Sequence, residues 1–338
     1  MNKELYNKIR KKLPVAQRVQ LSKLVFRLLR KPMYSAENKV PQDKGVVTLS
    51  ADFELAWAWR FSKKNINAAE MGRREREHFP LILAKLNDLD IPITWATVGH
   101  LFLDNCKKHN GLAHAELHRP HYFENIFWTY NKGDWYDLDP CTDYKTNPEF
   151  YGPDLIEMIL NSKTKHEIGC HSFSHCDFTE KNSYPELIYD ELNACEEAMK
   201  RFGIKPVSFV FPGNQVGSIN ILKDKDYKII RHKTDELKEI GFPEVIDGMF
   251  SVHDSLSLEI DEKEFGSKYM VWKLKKYVDK AIEKKAICHL WFHPSIDKEN
   301  MLSYFFPLLD YISEKRDKGE LEVLTMEQIE KRYNRNEK

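Results

Sequence analysis

From Gly45 onward the chain alternates short apolar runs with longer amphipathic segments, and that alternation sets the expected architecture. GVVTLSADF (45–53) is a run bounded by polar residues and reads as a buried strand. MGRREREHFPLILAKLNDLD (71–90) reads as a helix, IPITWATVG (91–99) as a strand, PDLIEMILNSKTK (153–165) as a helix and HEIGCHSF (166–173) as a strand. SYPELIYDELNACEEAMKRFG (183–203) is a long helix with Gly203 as its C-terminal glycine. KPVSFVFPGN (205–214), DYKIIRH (226–232) and KAICHLWFH (285–293) are further strands. LKKYVDKAIEKK (274–285) and SYFFPLLDYISEKRDKG (303–319) are helices. Strands joined by crossover-length helices predict a parallel α/β sheet, open or closed.

The N-terminal part differs. Lys3, Lys8, Arg10, Lys11, Lys12, Arg18, Lys23, Arg27, Arg30 and Lys31 face a single acid in that stretch, Glu4. Val15, Leu21, Leu24, Val25, Leu28 and Leu29 recur at helical spacing after Pro14, which predicts an amphipathic helix packed on the main domain. The competing reading is peripheral contact with an anionic membrane surface. SAENKVPQDKG (35–45) reads as a linker, so the expected division is a helical extension over 1–44 and one α/β domain over 45–338. Residues 105–150 are the least regular part, and a connection of that length is more often functional than idle. It is expected to wall a substrate cleft.

Composition narrows the function. With 52 basic and 52 acidic side chains in 338 residues, no overall field recruits a nucleic-acid backbone. The six cysteines contain no C-x-x-C pair and read as reduced thiols. No apolar run approaches the length of a membrane span and the first residues lack a signal-peptide core, so a cytoplasmic location is the default expectation. Oligomeric state is not legible.

Three elements carry chemistry. His171 and His175 follow the run EIGC, and imidazoles four apart share a point if the chain turns at the strand end; neutral imidazole is a common zinc ligand. Asp52 and Glu54 close the first strand, and residues two apart on a strand project from one face. Two acids beside an apolar run are costly unless solvated, paired or bound to a cation. His293 ends the strand LWFH, and parallel α/β folds gather ligands at the carboxyl ends of strands. His114, His118 and His121 lie in the irregular stretch and read as surface residues rather than a second metal site.

The order of these elements, with IPITWATVG, HEIGCHSFSH, FVFPGN and LWFHP in sequence, resembles the polysaccharide deacetylase, or NodB-homology, superfamily over roughly residues 45 to 300. The resemblance implies a distorted parallel (β/α)7-type barrel and a bound divalent metal, usually zinc. It implies His171, His175 and Glu54 as metal ligands, Asp52 as general base and His293 as general acid. Phe53 separates the two acids and glutamate replaces aspartate, which leaves exchange of their roles open. Trp57, Pro212 and Trp291 are the expected substrate contacts, with Trp59 beside Trp57 as a second floor for a sugar ring. Family members commonly carry an arginine two residues before the proline of FPGN, paired with the catalytic acid; Val210 stands there, leaving His289 or Arg60 as substitutes. The expected reaction is hydrolysis of a carbon–nitrogen bond that is not a peptide, by metal-activated water, to remove acetyl from an N-acetylated sugar or glycan precursor. The alternatives are an amidohydrolase acting on a small cyclic or linear amide, and a silent carbohydrate-binding relative.

Overall fold

The computed structural model describes residues 12–29, 32–64, 66–233, 239–258 and 266–334. Helix α1 (Val15–Leu29) comes first. Then β1 (Gly45–Phe53), α2 (Ala68–Asp88), β2 (Thr94–Thr97), α3 (Pro153–Leu160), β3 (Glu167–Cys170), α4 (Pro185–Lys200), β4 (Ser208–Val210), α5 (Ile219–Asp224) and β5 (Ile229–His232) alternate. The chain continues through β6 (Glu244–Ile246), β7 (Met249–His253), β8 (Leu256–Ser257), α6 (Gly266–Lys284), β9 (Ile287–Phe292), α7 (Phe306–Asp317), β10 (Leu321–Val323) and α8 (Met326–Asn334).

β1 lies between β2 and β9, and the parallel ladder runs on through β3, β4, β5 and β7. One stretch of chain joins the two ends of that ladder. The first half of Met249–Ser257 pairs in parallel with β5, and the second half pairs in parallel with β9. The sheet therefore curls into a distorted barrel rather than spreading flat. β10 adds to the N-terminal half of β1, and β6 runs antiparallel to β7. Neither β7–β8 nor β10 was expected from the pattern, because both are short and interrupted by polar residues.

Every residue of β1 is buried, which explains a nearly continuous apolar run instead of a clean alternation. The pleat still sorts its side chains. Phe53 stacks on Phe79 of α2 at 5.0 Å between ring centroids, while Ser50 and Asp52 turn to the other face and meet Arg231 of β5 across the barrel. α2 covers the outer face with Phe79, Ile82, Leu83 and Leu86, a helical spacing. The barrel is thus apolar outside, under its helices, and polar within.

α1 packs on α6: Phe26, buried, meets Trp272 edge-on at 5.4 Å, while Val15 and Leu24 stay exposed. Lys3, Lys8, Arg10, Lys11, Arg30 and Lys31 lie outside the described residues. No described helix is long and apolar enough to cross a membrane.

Candidate metal centre and cleft

The C-terminal ends of β1, β3 and β9 meet at one mouth of the barrel. Asp52, 3% exposed, is held there by Arg231 through two parallel bonds, Nη1 to Oδ1 at 2.5 Å and Nη2 to Oδ2 at 2.7 Å. Ser50 Oγ, Asn214 Oδ1 and the face of Trp291 complete the surroundings of the guanidinium. Such a fork fixes a carboxylate in angle as well as position. Neither substitute expected from the sequence fills this place. Arg60 donates to the carbonyls of Trp57, Trp135 and Ser174 between two indole rings, and burial draws its pKa down to about 10. His289 bonds Ser50 Oγ at 2.9 Å and stands behind Arg231. Arg231 is the register partner of Val210 on the neighbouring strand, so the cation has moved one strand sideways at the same height.

The loop after β3 delivers both histidines. Ser172 and His175 take positive φ values of 58° and 59°, and these left-handed residues turn the chain so that the two imidazoles sit 5.1 Å apart. Glu191 of α4 holds the loop from beneath, accepting from the backbone amides of Phe173 and Ser174 and from Ser174 Oγ. Burial raises the Glu191 pKa against the bonds from Ser174 that lower it. His171 Nε2 and His175 Nε2 converge on Glu54 Oε1 at 2.9 and 3.0 Å, and His293 Nε2 lies 3.5 Å from Oε2. Asp52 is within the same neighbourhood, so the five side chains share one site.

This donor set fits a divalent cation. His171 Nδ1 donates to the Val210 carbonyl at 2.7 Å, the arrangement in which a metal-ligating histidine presents Nε2, and that Nε2 is aimed at a carboxylate oxygen. Two acceptors stand so close only with a proton or a cation between them. Burial lowers the His175 pKa, disfavouring the proton. Burial pushes the Glu54 pKa up, but electrostatic interaction with His293 and His175 and the hydrogen bonds from His171 and His175 outweigh it and hold it well below the ordinary value. Among the described residues Glu54 Oε2 is buried without a hydrogen-bond partner.

Glu75 of α2 accepts from the Glu54 amide at 3.0 Å. Burial, with the Glu54 charge adding to it, raises its pKa from 4.5 to about 8. The fold therefore prefers Glu75 protonated: the stability linked to it is complete below about pH 4.5 and is lost as pH rises through about 8. Glu75→Gln, which resembles the protonated carboxyl, is expected to gain melting temperature over the wild type progressively between those limits. Thermal unfolding across the range checks this, and a difference independent of pH would contradict it.

A solvent-open cleft of about 810 Å3 leads to the centre, with Trp59, Trp128, Phe127 and Trp291 on its walls and Lys63 and Asn214 at its polar edge. Phe127 and Trp128 come from the irregular connection, which does wall the cleft. Of the expected substrate contacts, Trp291 lines the cleft, whereas Trp57 does not: it is 1% exposed, stacks on His100 and donates to the Phe150 carbonyl. Trp59, two residues on, reaches the cleft instead because the chain turns through a short 3-10 helix there. Pro212 is buried beneath the cleft and the next two residues line it. Gly213 has φ of 59°, and a Cβ on it would stand 2.5 Å from Trp128, so glycine is required at that wall. His118 pairs with Asp190 and His121 stacks on Tyr184, but His114 is buried against Asp139 rather than on the surface.

Residues 70–229, from α2 to the start of β5, match the model of a family described as polysaccharide deacetylase. The match spans just under half of the chain. The match includes the His171/His175 loop, while Asp52, Glu54, Arg231 and His293 lie beyond its ends. No curated protein matches the sequence. Among solved structures, a polysaccharide deacetylase from Mycobacterium smegmatis described as putative superposes with a TM-score of 0.60 at 13% identity, over 91% of this chain and 96% of its own. The Puue allantoinase superposes with a TM-score of 0.54 at 10% identity, over 85% of this chain and 89% of its own. At these identities the likeness is one of fold.

Proposed function

We propose that this chain is a metal-dependent hydrolase of the polysaccharide deacetylase kind that removes acetyl, or another small acyl group, from an N-acylated sugar or glycan precursor. One observation carries the reading: two imidazole Nε2 atoms converge on one oxygen of the buried Glu54, beside a second carboxylate held rigidly by Arg231. In this reading Glu54, His171 and His175 hold the ion, and two imidazoles with one carboxylate suit zinc with three protein ligands. When bound, zinc supplies Lewis acidity, making water nucleophilic at neutral pH and polarising an acyl carbonyl.

The remaining work falls to the chain. Asp52 engages Arg231 through one lone pair on each oxygen and keeps others to accept the proton of the attacking water. His293, on the opposite side of Glu54, gives a proton to the departing nitrogen. Trp59, Trp128 and Trp291 offer flat apolar faces on which a sugar ring stacks.

Zinc-loaded protein is expected to release acetate from a panel of N-acetylated sugars and to stop when the metal is chelated; a loaded, folded protein that releases none would contradict the reading. A second reading, hydrolysis of a small cyclic or linear amide, draws support from the fold likeness to an allantoinase. Adding such amides to the panel separates the two.

A further inference from the structure

Behind the His171/His175 loop lies a second set of donors that the hydrolase reading does not use. His100 follows β2 in a 3-10 turn (Gly99–Phe102), and Cys106, His114 and Asp139 come from the irregular connection to α3. One donor atom from each of the four lies within 4.8 Å of the others. Asp139 Oδ2 is the hub, with His114 Nε2 at 3.0 Å, His100 Nε2 at 3.1 Å and Cys106 Sγ at 3.3 Å. Bonds of about 2.0–2.3 Å place tetrahedral zinc donors about 3.3–3.8 Å apart, so side-chain adjustments of up to about 1 Å would seat an ion.

His100 gives a second, independent sign. It is fully buried, and its Nδ1 faces the Phe150 carbonyl at 3.2 Å, the arrangement that fixes the tautomer with a bare Nε2. Among the described residues that Nε2 has no hydrogen-bond partner, although a carboxylate oxygen is its close neighbour. Asp139 is itself oriented from behind: its Oδ1 accepts from the Cys141 amide at 2.9 Å and the Tyr151 hydroxyl at 3.3 Å. No described lysine or arginine hydrogen-bonds to this buried carboxylate.

We propose that His100, Cys106, His114 and Asp139 form a second metal site that binds a structural zinc ion. A thiolate with two imidazoles selects zinc over magnesium or calcium. Four protein donors close the coordination sphere, whereas a catalytic centre keeps a position open. The ion ties the long connection to the turn after β2. It also braces the catalytic loop, because Phe173 packs on His100 at 5.5 Å and on His114 at 5.3 Å.

Zinc-replete wild-type protein is expected to hold two zinc ions per chain by plasma mass spectrometry, and the His171→Ala/His175→Ala double variant to hold one. Cobalt loaded into the double variant should show the near-ultraviolet charge-transfer band of a cobalt–thiolate bond, and adding Cys106→Ser should abolish it. A double variant with neither zinc nor that band overturns the site, as does a band that survives Cys106→Ser. Should the variants fail to fold, zinc-edge X-ray absorption of the wild type decides: a sulfur scatterer at about 2.3 Å supports the site and its absence overturns it. These outcomes do not depend on whether the protein deacylates a sugar.

Discussion

Arg231→Met is expected to destabilise the protein by about 3–5 kcal/mol, the cost of leaving a buried charge without its partner, and to slow turnover by about 10²-fold or more through misplacement of Asp52, the proposed general base. The argument is geometric. Asp52 is buried and takes both strong bonds from one guanidinium, so methionine would fill the volume and leave the carboxylate facing a thioether. Arg231→Lys keeps the charge but loses the fork and should recover stability better than rate. Because Val210 is the register partner of Arg231, the double change Val210→Arg with Arg231→Val returns a cation to the same level of the barrel and should restore part of both. Denaturant unfolding and steady-state kinetics on the four proteins check this. A methionine variant with wild-type stability and rate would contradict it.

The second large effect separates the two acids. Glu54→Gln is expected to lose the metal bound at His171 and His175, and activity with it. Asp52→Asn should retain that metal while turnover falls about 10²- to 10⁴-fold, the usual worth of a positioned proton acceptor. The structure motivates the assignment because Glu54, not Asp52, faces both imidazoles, and both Asp52 oxygens are already engaged by arginine. Metal content and acetate release measured on folded fractions decide it. The reverse pattern would exchange the roles, an option that the intervening Phe53 leaves open in the sequence.

Much of this site's grouping is legible in the sequence, for a physical reason. Asp52, His171 and His293 each end or follow a short apolar run, and a polar group in that place in a parallel α/β fold stands at the mouth where strands terminate. Arg231 carries the same local sign, a charge following Ile229 and Ile230, but nothing local marks it as a member of the site. Its partner is Asp52, 179 residues away and across the barrel, and no spacing rule links the two. The closing segment Met249–Ser257 escaped for a related reason: its halves pair with different strands, so neither half is long enough to show a period. Trp57 and Trp59 show the limit of composition. Both follow the acids, and a single 3-10 turn sends one into the core and the other to the cleft. His114 read as a surface residue because its partners His100, Cys106 and Asp139 are spread along a connection without regular structure.

Anomalous diffraction at the zinc edge, from crystals of the zinc-loaded protein, tests the assignment of the centre most directly. The expected peak lies about 2.0–2.2 Å from Nε2 of His171, Nε2 of His175 and a Glu54 oxygen, with Asp52 still forked on Arg231. A mouth without a peak, or a peak ligated by Asp52 with Arg231 swung aside, would contradict it.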